Sequence, residues 1–190
     1  MTSIAQQLQA AGVRRVLDPQ DSGYAEATAG FDTAVSIAPD LVIVADTAAD
    51  VASAVAVAAD RGERLTVIGS GHGLLGDVTG GIGVAMQRLG SVQVDAGAGL
   101  ARIGAGATWE PVLAATAAHG LAPLCGSAPG VGVTGYLLGG GLGPLARTYG
   151  FSADRVRSFD IVTPADGPLT VTVDSHPDLF WALRGGKGGF

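Results

Sequence analysis

Val67-Ile68-Gly69-Ser70-Gly71-His72-Gly73-Leu74-Leu75-Gly76-Asp77 carries an apolar segment into a glycine-rich turn with one histidine at its centre. A strand is expected over residues 64–68. Without a Cβ, the glycines accept φ > 0 and let backbone N–H groups converge on one point. A nest of that kind binds an anion, usually a phosphate. Gly71 to Gly76 is also a literal G-x-G-x-x-G, with Asp95 downstream, as in a dinucleotide-binding Rossmann unit. That reading needs a long helix after the third glycine. Asp77-Val78-Thr79-Gly80-Gly81-Ile82-Gly83 has no 3.6-residue period and three more glycines. The loop's own N–H groups would therefore have to hold the phosphate.

A lone loop histidine is by default exposed and idle. His72 departs from that default because it is wedged between glycines inside the nest, where its side chain must point at or along a ligand. Metal binding is not indicated. His119 and His176 are the other two histidines, and both sit at expected helix ends without ligand spacing to His72.

Working outward, Leu41-Val42-Ile43-Val44 reads as a strand buried on both faces. Thr47 and Asp50 form a capping box for a helix that presents Val51, Ala54, Val55, Ala58 and Ala59 on one face and ends at Gly62. Strand, helix and the strand at 64–68 make a βαβ unit with parallel pairing. Upstream, residues 3–11 read as a short helix closed by Gly12, and residues 13–36 as a polar, irregular arm. Downstream, segments 84–87, 92–95 and 100–104 are expected to pair antiparallel across glycine turns. Thr108 caps a second helix with Pro111 in its first turn. Segments 159–163 and 169–173 form a hairpin, and Ser175 with Asp178 caps a last helix. The expected fold class is α+β: an N-terminal helix and arm (1–39), a βαβ-based subdomain (40–95) and a mostly antiparallel subdomain with helices (96–190).

Hydrophobic residues make up 47% of the chain, enough for a substantial core, and charged residues only 15%, with net charge −6. No Lys/Arg cluster supports nucleic-acid binding. Cys125 is the single cysteine, so no internal disulfide forms. No signal peptide is visible, which gives a cytoplasmic expectation. The uncharged run 121–146 contains Pro123, Pro129 and Pro144 and cannot be a membrane helix. It reads as a buried loop, and no membrane partner is expected. No G-x-S-x-G elbow or Cys–His pair is present. Asp32, Asp40, Asp154 and Asp160 are scattered, so no general base or other catalytic residue is assigned, and a cofactor is expected to carry any chemistry.

A second glycine-rich stretch, Gly126 to Gly143, is long, uncharged and nearly free of side chains. Two readings stand side by side: a backbone laid along a flat ring or extended ligand, and a loop packed tightly around Tyr136. The presence of two such stretches favours one extended ligand, held at its phosphates by the first and along its length by the second.

Several segments together resemble a known family. They are Ile68-Gly69-Ser70-Gly71-His72, Val94-Asp95 through Ala105-Gly106-Ala107-Thr108-Trp109, the 126–143 stretch continuing to Arg147-Thr148-Tyr149-Gly150, and His176-Pro177-Asp178-Leu179-Phe180-Trp181-Ala182-Leu183-Arg184-Gly185-Gly186. From Asp40 to Phe190 the chain resembles the PCMH-type FAD-binding domain of the vanillyl-alcohol-oxidase flavoproteins, most closely the berberine-bridge-enzyme-like oxidases. The resemblance implies FAD as cofactor, a two-subdomain PCMH-type fold, and oxidation of an alcohol, sugar or similar small molecule by hydride transfer to FAD with O2 as acceptor.

It further implies that residues 68–73 (Ile68, Gly69, Ser70, Gly71, His72, Gly73) form the pyrophosphate loop and that Gly76 and Asp77 also bind the cofactor. By the same resemblance, His72 is expected to be the covalent anchor to the flavin 8α-methyl. Ser127, Pro129, Gly130 and Val131, then Thr134, Gly135 and Tyr136, then Gly139, Gly140 and Leu142, line the flavin and ribityl chain. Ile161 and Val162 lie near the adenine. There are departures. Ile68 replaces the family's arginine and Gly73 follows the histidine. Ala128 stands where bicovalent relatives have a cysteine, with Cys125 three residues too early, so one covalent bond is expected. The family continues into a substrate domain that is absent here. The chain is thus expected to be truncated; the alternative to an oxidoreductase's cofactor domain is a non-catalytic flavin-binding module or one half of a two-chain enzyme, and the partners expected besides FAD are a substrate-domain chain or a second copy.

Overall fold

The computed structural model describes residues 2–187, and the expected terminal glycine turn at 188–190 lies outside the described residues. The chain forms two compact units, Met1–Leu89 with Val162–Leu169, and Gly90–Ile161 with Thr170–Phe190.

The first unit is built on a four-stranded sheet. Its strands are β1 (Val16–Leu17), β3 (Leu41–Val44), β4 (Leu65–Ile68) and β6 (Ile82–Ala85), in the order β1-β3-β6-β4. β3 and β4 both pair parallel with β6, Val42 and Thr66 each facing Gly83, while β1 runs antiparallel to β3. A short parallel pair, β2 (Ile37–Ala38) with β5 (Val78–Thr79), lies outside this sheet. Alternation along β3 sorts its side chains to two faces. Ile43 packs with Leu8, Ala54, Ala58, Ile82 and Val84 beneath helices α1 (Ile4–Ala10) and α3 (Ala48–Arg61). Val42 and Val44 pack with Ala27 and Ala85 beside α2 (Tyr24–Ala27). A strand covered on both sides reads as an unbroken apolar run, which is why Leu41–Val44 does not alternate. The Thr47/Asp50 capping box forms, and Gly62 closes α3 in the left-handed region at φ 65°.

In the second unit, β7 (Val92–Asp95) and β8 (Leu100–Ile103) pair antiparallel, Val92 opposite Ile103. Helix α4 (Trp109–Ala117) places Trp109 and Val112 in a core with Val133, Val92 and Ile103. Short helices α5 (Val133–Leu138) and α6 (Ala146–Tyr149) follow. The chain then forms the hairpin of β9 (Phe159–Thr163) and β10 (Gly167–Val171), whose residues 162–169 belong to the first unit, and ends the second with α7 (Pro177–Leu183).

Several sequence expectations are corrected. Segment 84–87 does not form a hairpin with 92–95. Ile82–Ala85 is buried at every position and fills the gap between β3 and β4, whereas Val92–Asp95 alternates between half-buried and exposed and finds its partner only in β8. Burial outranked the Leu89-Gly90 turn signal. The arm at 13–36 is not irregular, since it contributes β1, α2 and the buried Val13. The run 121–146 is not a buried loop: residues 127–130 are exposed, and Val133 and Gly141 are its only buried positions. Thr108 sits at the α4 N-cap, but its side chain makes no capping bond. The N-cap of α7 is His176, because the Ser175 hydroxyl is taken up in a turn with Thr172. The second hairpin strand begins two residues early, at Gly167, whose φ of 68° closes the turn. No helix follows Gly76: the chain enters β5 and β6, as the glycine pattern of 77–83 predicts.

Candidate functional site

The glycine loop leaves the end of β4. Ile68 is 2% exposed, with its side chain turned into the core against Gly83, so it can offer a ligand only its backbone. Its carbonyl accepts from the Met86 N–H at 3.0 Å, which fixes where the loop departs. Gly71 then takes φ 71°, and a Cβ there would meet the Gly30 Cα at 2.6 Å. Around Gly69 and Gly76 the Cβ position is open, with nothing inside 4 Å. Among the described residues, the amides of Gly71, His72 and Gly73 donate to no protein acceptor. Such a turn, glycine-shaped and open, fits an anion such as a phosphate.

His72 is half-buried. Its Nδ1 is 3.1 Å from the Ser70 hydroxyl. Its ring stacks on Phe31, centroids 3.8 Å apart and planes 10° from parallel. The Asp77 carboxylate accepts from the Ser36 N–H at 2.7 Å, tying the far end of the loop to the residues just before β2.

In the second unit the stretch 126–143 does two jobs. Part of it packs around Tyr136, as the structural reading of this stretch foresaw. A Cβ on Gly126 would touch the ring at 3.1 Å, one on Gly141 would meet it at 2.8 Å, and one on Gly143 would reach the phenol oxygen at 2.9 Å. Trp109 meets the same ring edge-on at 5.4 Å, and Ser152 lies 3.4 Å from the hydroxyl. The remaining positions keep an open backbone. Gly135 has nothing within 4 Å of its Cβ position, Gly140 takes φ 94°, and Leu142 is 70% exposed. Thr134 is half-buried on α5, and Gly139 follows that helix with its amide bonded to the Gly135 carbonyl.

Ser127, Pro129 and Gly130 lie in the exposed loop. The carbonyls of Pro129 and Val131 accept from the Glu110 and Trp109 amides, so the start of α4 is closed by the chain itself. The Trp109 Nε1 is buried without a partner among the described residues. Ile161 and Val162 are half-buried in β9. The described residues contain no group of three or more His, Cys, Asp or Glu placed to hold a metal ion.

The sequence reading missed Gly30 and Phe31, which approach the loop from about 40 residues away. An aromatic residue following a glycine in a polar segment is the only local signal they leave.

A family model described as an FAD binding domain matches residues 39–172. An FAD-dependent monooxygenase of Fusarium proliferatum is 40% identical over 158 residues, covering 82% of this chain and 31% of the relative. The (R)-6-hydroxynicotine oxidase of Paenarthrobacter nicotinovorans is 33% identical over 177 residues, 92% of this chain and 39% of the relative. A solved structure of the glucooligosaccharide oxidase of Acremonium strictum, concerned with its 6-S-cysteinyl, 8α-N1-histidyl FAD, has a TM-score of 0.87 at 29% identity. That match takes in 97% of this chain and 40% of that one. Fold and matches define a flavoprotein cofactor domain of mixed α+β, PCMH type. The chain belongs to the FAD binding domain family found in the vanillyl-alcohol-oxidase and berberine-bridge-enzyme-like oxidoreductases. It spans 31% and 39% of the two relatives' lengths.

Proposed function

We propose that the chain binds FAD, joined to it by a single covalent bond through His72, and serves as the cofactor-binding part of an FAD-linked oxidoreductase. The observation that carries this reading is the imidazole held inside an open glycine turn at the end of a parallel strand. Gly69, Ser70, Gly71 and Gly73 hold the pyrophosphate, and Gly76 and Asp77 lie at the cofactor beyond them. The open positions of 127–142 run along the flavin and ribityl chain, and Ile161 with Val162 lies near the adenine. Ala128 at the cysteine position of bicovalent relatives limits the attachment to one bond.

Bound FAD supplies a two-electron acceptor for the hydride of an alcohol, sugar or similar small molecule, with O2 as final acceptor. The chain's share is to bind, orient and tether, and none of its residues is assigned as the catalytic base. The matched parts of the relatives are less than half their length. The substrate-binding side is therefore proposed to come from outside these 190 residues, as a further segment or a second chain. Leu142, Leu145, Tyr149 and Phe151, all 46–70% exposed, offer apolar surface for such a partner or a second copy.

Acid precipitation of the purified chain tests the flavin reading. Colour kept in the pellet supports a covalent link, while a colourless native protein that takes up no added FAD contradicts flavin binding. Stopped-flow reduction by candidate alcohols separates an enzyme from a binding module, since a module is reduced by none.

A further inference from the structure

We propose that Phe31 and Ser70 are positioning residues that hold the His72 imidazole in one orientation for attachment to the flavin, an inference that rests on the reading of His72 as the anchor. An imidazole between two glycines starts with a loose backbone and two free side-chain torsions. Two restraints act on it here. The Ser70 hydroxyl, 3.1 Å from Nδ1, fixes rotation of the ring within its plane. The Phe31 ring, 3.8 Å away and within 10° of parallel, fixes the plane itself.

Phe31 is not there to fill a core, because it is 70% exposed. It is itself held in place. Its N–H donates to the Ser70 carbonyl at 3.0 Å, and the neighbouring Gly30 lies so close to Gly71 that a Cβ on Gly71 would meet the Gly30 Cα at 2.6 Å. Further along, the Ser36–Asp77 bond and the Ile37–Val78 pairing tie the same segment to the other end of the loop. Residues 30–38 thus form a strap along residues 70–79, with the aromatic ring placed where the strap meets the histidine.

Orientation matters because forming one bond between a ring nitrogen and the 8α carbon requires the attacking atom to be held near its target. In that step His72 gives up its N–H hydrogen. This hydrogen and one from the 8α-methyl pass to the flavin ring with the electron pair, so the step balances without a further oxidant.

The test uses the chain without flavin and then at saturating FAD. By NMR, the His72 ring protons of the flavin-free chain are expected to show an upfield ring-current shift that disappears in Phe31→Ala and persists in Phe31→Trp. The rate at which acid-stable flavin accumulates is expected to fall about 10-fold or more in Phe31→Ala, to fall in Ser70→Ala as well, and to recover in Phe31→Trp. Attachment by Phe31→Ala at the wild-type rate overturns the proposal while leaving His72 as anchor. Absence of the ring-current shift in the wild type overturns it as well. Wild type that accumulates no more acid-stable flavin than His72→Ala, with the ring shift intact, overturns the anchor reading beneath it. Because Phe31 is largely exposed, its truncation leaves the core whole, and an unchanged melting midpoint checks this.

Discussion

Gly71 shows how much a single position in the loop is asked to do. It adopts φ 71° and lies against Gly30, so alanine there meets a steric cost of roughly 1–2 kcal/mol for the left-handed backbone and a clash at 2.6 Å besides. Gly71→Ala is expected to lower stability in urea denaturation by at least about 1 kcal/mol. Gly76→Ala, with open space at its Cβ and no positive φ, is expected to stay within about 0.5 kcal/mol of the wild type. His72 was legible from its glycine neighbours because that signal is local. Phe31 was not, since its role exists only once residues 41 apart have been brought together. Tyr136 lies between these cases. The sequence allowed both a ligand-facing stretch and a packed loop, and only the contacts of Gly126, Gly141 and Gly143 with its ring show that this part of the stretch packs inward.

At the scale of elements, the cap at Thr47 was read correctly, while those expected at Thr108 and Ser175 and the strand order were not. The Thr47/Asp50 box is local and complete, and Thr47→Ala is expected to cost about 1 kcal/mol by chemical denaturation. The position of β6 between β3 and β4 is a non-local choice driven by the burial of Ile82, Val84 and Ala85. Turn residues after a strand say where the chain reverses, not which neighbour the strand takes.

The α2–β3 junction gives a pH prediction. The Tyr24 hydroxyl donates to the Pro39 carbonyl at 2.5 Å, and burial, reinforced by the nearby Asp40 carboxylate, raises its pKa above the ordinary tyrosine value. The fold therefore favours the neutral phenol. Its contribution is fully present below about pH 10 and is lost as pH climbs through the raised value. Stability should decline above about pH 10, and Tyr24→Phe should lack this part of the decline. At neutral pH the same variant should be less stable by about 1 kcal/mol for the lost hydrogen bond. Denaturation at pH 7 and pH 11 compares the two chains.

For the whole molecule, the central claim is that residues chosen for local backbone shape also make a tether for a flavin. The α+β class and the glycine loop were plain in the sequence because glycine spacing and apolar runs are local patterns. The division into units was harder to read, since the first unit takes back residues 162–169 after the chain has built most of the second.

Tryptic mapping of acid-precipitated, FAD-loaded protein tests the claim most directly. Cleavage after Arg64 and Arg88 releases the 65–88 peptide, whose only histidine is His72. The account predicts that flavin absorbance and the mass of one FAD travel with this peptide, and that His72→Ala yields it without flavin. Flavin released wholly to the acid supernatant, or recovered on any other peptide, would contradict the account.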